Sequence, residues 1–160
     1  MGIIISCFVG CGREYFKNTY GDKIKIFDAI DKVPLTDVDG KTNSDLIEGY
    51  INKVMDVVDD NDIVFIGSSK TVRNAFNERN IDYDIFYPSE ERRGEFIENQ
   101  VRKRISPKEI KNIDIHFAKW VKEIDEDDSE NSYKHKLTNK GEFIGNSPVI
   151  MQYINTLGNE

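Results

Sequence analysis

The sequence predicts an α/β fold in which a mainly parallel sheet of about five strands is flanked by helices. Three observations predict it. Short apolar runs rich in β-branched and aromatic residues recur along the chain, as strands buried on both faces do. Segments with helical spacing of apolar residues separate those runs. The connections between them are short and carry Gly, Pro, Ser and Asp. Strands alternating with helices need crossover connections, which give parallel pairing with helices covering the sheet. A chain of 160 residues, 38% of them hydrophobic, suits a single domain spanning 1–160.

The elements follow in order. Gly2 to Phe8 reads as a strand buried on both faces. The apolar start Ile3-Ile4-Ile5 has no basic region before it and ends at Gly10-Cys11-Gly12, so it is not read as a signal peptide. Arg13 to Tyr20 is a short helix ended by Gly21. Lys23 to Phe27 alternates polar and apolar residues as a second strand. Asp28 to Asn43, with Pro34, Asp37, Asp39 and Gly40, carries turn chemistry and is expected as an irregular loop. From Ser44 the apolar points Leu46, Ile47, Tyr50, Ile51, Val54, Val57 and Val58 have helical spacing, with an N-cap at Ser44 or Asn43.

Ile63 to Ile66 is the third strand, ending at Gly67-Ser68-Ser69, and a helix from Ser69 to Arg79 follows. Tyr83 to Tyr87 is a strand closed by Pro88. Ser89 to Arg104 is a charged helix, and Ser106-Pro107 opens another that runs to Ile124. The region around 89–124 is therefore expected to be helical. Asp125 to Glu130 is a solvated acidic loop. Tyr133 to Leu137 is a last strand, and Pro148 to Leu157 a terminal helix.

Composition limits the function. Twenty-two basic residues against 29 acidic ones give −7, the wrong sign for a nucleic-acid-binding module. No stretch approaches the roughly 18 to 20 apolar residues of a membrane span. A cytoplasmic protein without nucleic-acid or membrane partners is the expectation. Cys7 and Cys11 are spaced C-x3-C with no histidine nearby, since His116 and His135 lie far along the chain. They read as reduced structural thiols and not as a metal site. No nucleophile–His–acid arrangement is present, so no catalytic residue is assigned.

In open parallel sheets ligands bind at the carboxyl ends of the strands. That rule selects Phe8 to Glu14, Asp28 to Asp31 and Gly67 to Arg73. The first, Val9-Gly10-Cys11-Gly12-Arg13-Glu14, joins a strand to a helix. Glycines there either supply turn dihedrals alone or bring free backbone amides to an anion. Asp28 and Asp31 either cap the turn that follows or face a ligand. Lys70 and Arg73, three apart, share one helix face, which looks either to solvent or, with Ser68, into the crevice. Arg92, Arg93, Arg102 and Arg104 are the densest basic cluster. Ordinary surface pairs with Glu90, Glu91, Glu95 and Glu98 are the alternative to ligand contact at Arg92, Arg93 and Arg102.

The glycine loop, the Ser68 to Arg73 segment and Tyr87-Pro88-Ser89 with its arginine-bearing helix resemble the small P-loop nucleotide kinases of bacteriophages, of the adenylate and deoxynucleotide kinase type. The resemblance reaches weakly to about Trp120, with a late echo at Lys136 to Phe143. Gly10 and Gly12 match the two loop glycines. Arg13 stands where the family has its lysine, and Glu14 where it has the serine or threonine that completes the magnesium shell. An arginine keeps the charge but presents a rigid fork, and a glutamate sets negative charge beside the phosphates.

The resemblance thus implies a phosphate-binding scaffold that has lost fast phosphoryl transfer, with a lid-like region around 89–124 that brings arginines onto the phosphates, and Asp28 near the acceptor nucleotide. The implied function is non-catalytic binding of a small phosphate-bearing nucleotide. For a phage protein in its host's cytoplasm, that includes sequestration of an ADP-ribose-type or cyclic nucleotide immune signal. The alternative is an active nucleoside monophosphate kinase that uses ATP and Mg2+, the one case in which a cofactor is implied. A homodimer fits a small phage protein of this kind, with no interface visible in the sequence.

Overall fold

The computed structural model describes residues 2–158. Its centre is a five-stranded, all-parallel sheet in the order β2-β3-β1-β4-β5. The strands are β1 (Ile3–Cys7), β2 (Ile26–Asp28), β3 (Ile63–Gly67), β4 (Tyr83–Pro88) and β5 (Ser132–Leu137). The helices flanking them are α1 (Arg13–Tyr20), α2 (Ala29–Lys32), α3 (Ser44–Val57), α4 (Lys70–Glu78), α5 (Arg93–Arg102), α6 (Pro107–Glu126) and α7 (Pro148–Gly158). The α/β class and the parallel sheet are those the alternating pattern predicts.

The central strand β1 pairs with β3 from Ile3↔Ile63 to Cys7↔Gly67 and with β4 from Ile5↔Asp84 to Cys7↔Phe86. Its one polar residue, Ser6, is fully buried and donates from Oγ to the Gly67 carbonyl at 2.8 Å, so no hydroxyl is left unmet in the core. From β1 the chain crosses to the edge strand β2, returns to β3, then passes over β1 to β4. The direction of winding reverses around β1, and that reversal opens a crevice at the carboxyl ends of β1, β3 and β4.

Helix starts follow their caps. Asn43 accepts from Leu46 N–H at α3, Ser69 from Val72 N–H at α4, and Ser106 from Glu109 N–H at α6, where Pro107 is the first residue. α1 differs: it opens on Gly12, with φ 96° and no side-chain cap. Helices α1 and α7 meet through the 3-10 turn Ile144–Asn146, α3 packs on α4, and α5 packs on α6.

An aromatic cluster roots the loop after β1. Phe8 lies edge-on to Phe96 of α5 at 6.4 Å between centroids, and to Phe117 and Trp120 of α6 at 5.2 and 6.3 Å. Each buried ring contributes roughly 1.5–3 kcal/mol by removal of apolar surface from water. The region expected to be lid-like is therefore tied to the core through Phe96, Ile113, Phe117, Val121 and Ile124, all buried.

Most boundaries fall within a residue or two of the sequence reading, and three departures have a clear cause. The second strand begins at Ile26, because Lys23 and Ile24 donate back to the Tyr20 carbonyl and finish α1. The irregular loop begins with α2, nucleated when the Asp28 carboxylate accepts from Ile30 N–H at 3.1 Å. The charged helix expected over Ser89 to Arg104 starts as a 3-10 turn, Glu90–Arg92, and α5 ends where Arg104 takes φ 59°.

Candidate functional site

The loop from Phe8 to Gly12 turns the chain from β1 into α1. Gly10 (φ 83°) and Gly12 (φ 96°) lie in the left-handed region, which other residues enter at a cost. Space is short as well. A Cβ on Gly10 would stand 2.7 Å from Gln100 Nε2, and one on Gly12 would stand 3.1 Å from Phe143 Cβ. Helix α5 and the segment after β5 thus press directly on the loop. Cys11 is buried inside the turn, its carbonyl accepting from Ile144 N–H at 3.0 Å.

The first amides of a helix have no intrahelical acceptor. Among the described residues, none accepts from the amides of Gly10, Gly12, Arg13 or Glu14. They border a crevice of about 440 Å³ lined by Cys7, Phe8, Val9, Gly10, Gly12, Arg13, Glu14, Gly67, Ser68 and Ser69, and closed by the end of α5 and the start of α6. Beyond Phe8 and Val9 it adjoins a cavity of about 260 Å³ reaching Lys70, Arg73, Trp120 and Glu123. The structure therefore gathers Val9, Gly10, Gly12, Arg13, Glu14 and Ser68 at one mouth, with Cys11 behind them.

Arg13 does not extend over the loop. Its guanidinium forms a close ion pair with the buried carboxylate of Asp28 and a second with Asp31 at 3.4 Å. Lys17, one turn on along α1, joins from the same face, with Nζ 2.7 Å from Asp28, 3.1 Å from Asp31 and 3.1 Å from Glu14. Partial burial works against the Arg13 charge, yet Asp28 and Asp31 raise its pKa above the ordinary arginine value. Lys17 is likewise raised, with hydrogen bonds to Asp28, Glu14 and Asp31 outweighing its desolvation. Two cations are thereby fixed among three carboxylates.

Oxygens of Glu14, Asp28 and Asp31 lie within 4.8 Å of one another, and hard oxygen donors of this kind suit a divalent cation. They do not fit Mg2+ in this arrangement, because one oxygen of Asp28 already binds both Arg13 and Lys17.

Arg73, Arg92, Arg93 and Arg102 are also engaged. Arg73 is buried, donating from Nε to the Ser68 carbonyl and from Nη1 to Asp127, each at 3.0 Å. Arg92 is buried between the rings of Phe96 and Phe143, 5.0 Å from each centroid, bidentate to Glu95 and bonded to the Leu137 carbonyl. It tethers the segment after β5 to α5. Arg93 lies 3.6 Å from Asp114, and Arg102 lies 2.8 Å from Glu98 on the exposed side of α5. Lys70 is exposed at the start of α4.

Sequence reading missed Lys17, Gln100, Lys103 and Phe143. Lys17 had a usable signal, its four-residue spacing from Arg13. Gln100, Lys103 and Phe143 reach the loop only through tertiary packing. Tyr50 of α3 also reaches the strand ends: its hydroxyl accepts from Gly67 N–H at 3.3 Å, and burial, reinforced by Asp28, pushes its pKa up to about 12.

The chain matches no protein-family model and no curated protein sequence. The strand order and the glycine loop are thus the structural features to weigh.

Proposed function

We propose that this protein binds a small phosphate-bearing nucleotide at the glycine loop and does not turn it over. One observation carries the reading: an uncapped α1 N-terminus opens on the crevice while the adjacent arginine, in the crevice wall, is held by Asp28. Free amides at a helix start attract anions through hydrogen bonding and the helix dipole. Phosphoryl transfer needs in addition a cation that follows the moving phosphate, and a metal that bridges the phosphate oxygens. Arg13 is fixed, and the carboxylates around it are engaged by Arg13 and Lys17. Binding is supported; the machinery for transfer is not assembled.

The second reading is a kinase in which nucleotide binding frees Arg13 and lets Glu14, Asp28 and Asp31 take Mg2+. The carboxylate cluster is what favours it. One experiment separates the two. The protein is incubated with Mg2+, ATP, nucleoside monophosphates, ADP-ribose derivatives and cyclic oligonucleotides, then passed through a filter. Mass spectrometry identifies what is retained and what has changed. A nucleotide retained intact and released on denaturation supports the binding reading and names the ligand, including any immune-signal nucleotide. New diphosphates in the filtrate point to the kinase, and retention of nothing overturns both.

A further inference from the structure

The crevice is one of two cavities that the glycine loop separates. On its other side lies a cavity of about 490 Å³ lined by Gly10, Gly12, Tyr15, Tyr20, Phe143 and Met151 among others. Among the described residues, and beyond the loop glycines themselves, a single residue lines both: Lys103, the residue that closes α5. Its backbone is fixed, since Lys103 N–H donates to the Asn99 and Val101 carbonyls and the following residue turns the chain at φ 59°. Its side chain is exposed and, among the described residues, takes part in no ion pair.

That sets it apart from the other cations around the loop. Arg13 and Lys17 are held by Asp28 and Asp31, Arg73 by Asp127, Arg92 by Glu95, and Arg102 by Glu98. Lys70 also takes part in no ion pair among the described residues, but of the two cavities it borders one is lined by Glu78, Glu123, Glu126 and Asp127 and the other by Glu123, and it does not line the crevice at the loop amides. The crevice beside Lys103 has two carboxylates in its lining, Glu14, already bound to Lys17, and Glu109.

We infer that Lys103 is the cation that meets the phosphates of the bound nucleotide, in place of Arg13, and that it does so from above the loop amides. The inference rests on the nucleotide-binding reading given above. An ammonium on a four-carbon stem is a compact charge that adapts to either side of the loop. It requires no rearrangement of the Asp28 cluster, whereas recruiting Arg13 leaves a buried carboxylate short of a partner. Because Lys103 spans the boundary between the cavities, the class of ligand it serves carries two or more linked phosphates crossing Gly10 and Gly12.

The test uses ADP, AMP and adenosine as probes, titrated calorimetrically into the wild-type protein, Lys103→Met and Lys108→Met. Lys108 is exposed on α6 and lines neither cavity, so it reports the effect of removing one positive charge nearby. Expected is ADP binding to the wild type, weakened about tenfold in Lys103→Met and changed less than about twofold in Lys108→Met. The loss for AMP is smaller, and adenosine is indifferent to the substitution. The salt dependence of ADP affinity also falls in Lys103→Met. Equal ADP affinity in Lys103→Met and wild type overturns the inference and leaves the binding reading intact. No binding of any of these or of the wider nucleotide mixture by the wild type overturns both.

Discussion

Asp28 brings three donors to one carboxylate: the Arg13 guanidinium, the Lys17 ammonium and the Ile30 amide. It is 4% exposed, whereas its two cations keep part of their hydration. Asp28→Asn retains the cap on α2 but removes the charge that both cations face. Breaking a buried pair costs about 3–5 kcal/mol, and less where the partners reach water. The expected loss is about 2 kcal/mol, read as a lower urea midpoint at unchanged slope. Asp31 gives the same cluster a pH dependence. The hydrogen bond from Lys17, with Arg13 beside it, holds the Asp31 carboxyl below its usual range against the opposing effect of burial. Its folded pKa is therefore lower than its unfolded one, so protonation favours the unfolded chain. That stability is fully present above about pH 4 and lost as pH falls through the folded value. Asp31→Asn is expected to flatten the acid limb of the stability curve. An unchanged limb in urea titrations between pH 7 and 3 counts against this pairing.

At the scale of elements, the loop after β1 depends on what presses on it. Gly12→Ala meets Phe143 Cβ, an atom close to the backbone, in addition to the left-handed dihedral. Gly10→Ala meets the end of the Gln100 side chain, which can swing aside. Both substitutions carry the roughly 1–2 kcal/mol cost of the left-handed conformation. Gly12→Ala is expected to cost more, which thermal unfolding of the two variants measures. The loop's root was legible in the sequence: Gly2 to Phe8 as a strand, found over Ile3–Cys7, then two glycines, then Arg13 to Tyr20 as a helix, found with the ends predicted. The helix starts at Ser106-Pro107 and at Ser44 or Asn43 were legible too, because a cap and the N–H it meets lie three residues apart, and the structure selects Asn43 as the cap. The fate of the arginines was not. Whether Arg92 reaches a ligand or lies between Phe96 and Phe143 depends on residues about 50 positions later. Arg13 pairs with an aspartate on another strand. Local spacing carries helix faces and caps, while charge partners across the sheet are set by topology.

The whole molecule places its candidate site where the winding of a parallel sheet reverses, on a chain whose net charge is −7. A nucleotide that binds the folded chain alone raises its stability by about 2.7 kcal/mol at a hundredfold excess over Kd. For a domain of this size the melting temperature is expected to rise by about 5–10 °C. Differential scanning fluorimetry across a nucleotide panel reads this directly, and a uniform absence of shift argues against binding. The two ends of the described chain bear on how such measurements can be made. Gly2 is buried, donating its N–H to the Val58 carbonyl. Late in α7, Tyr153 donates its hydroxyl to the Asp62 carbonyl, and Leu157 lies beside Asp59–Asp62 at the foot of β3. Both ends therefore leave from the pole of the sheet opposite Gly10 and Gly12. A tag, a fluorescent fusion or a sensor-chip linker at either end keeps its distance from the mouth, so immobilised protein faces the flowing solution with its crevice outward whichever end is anchored.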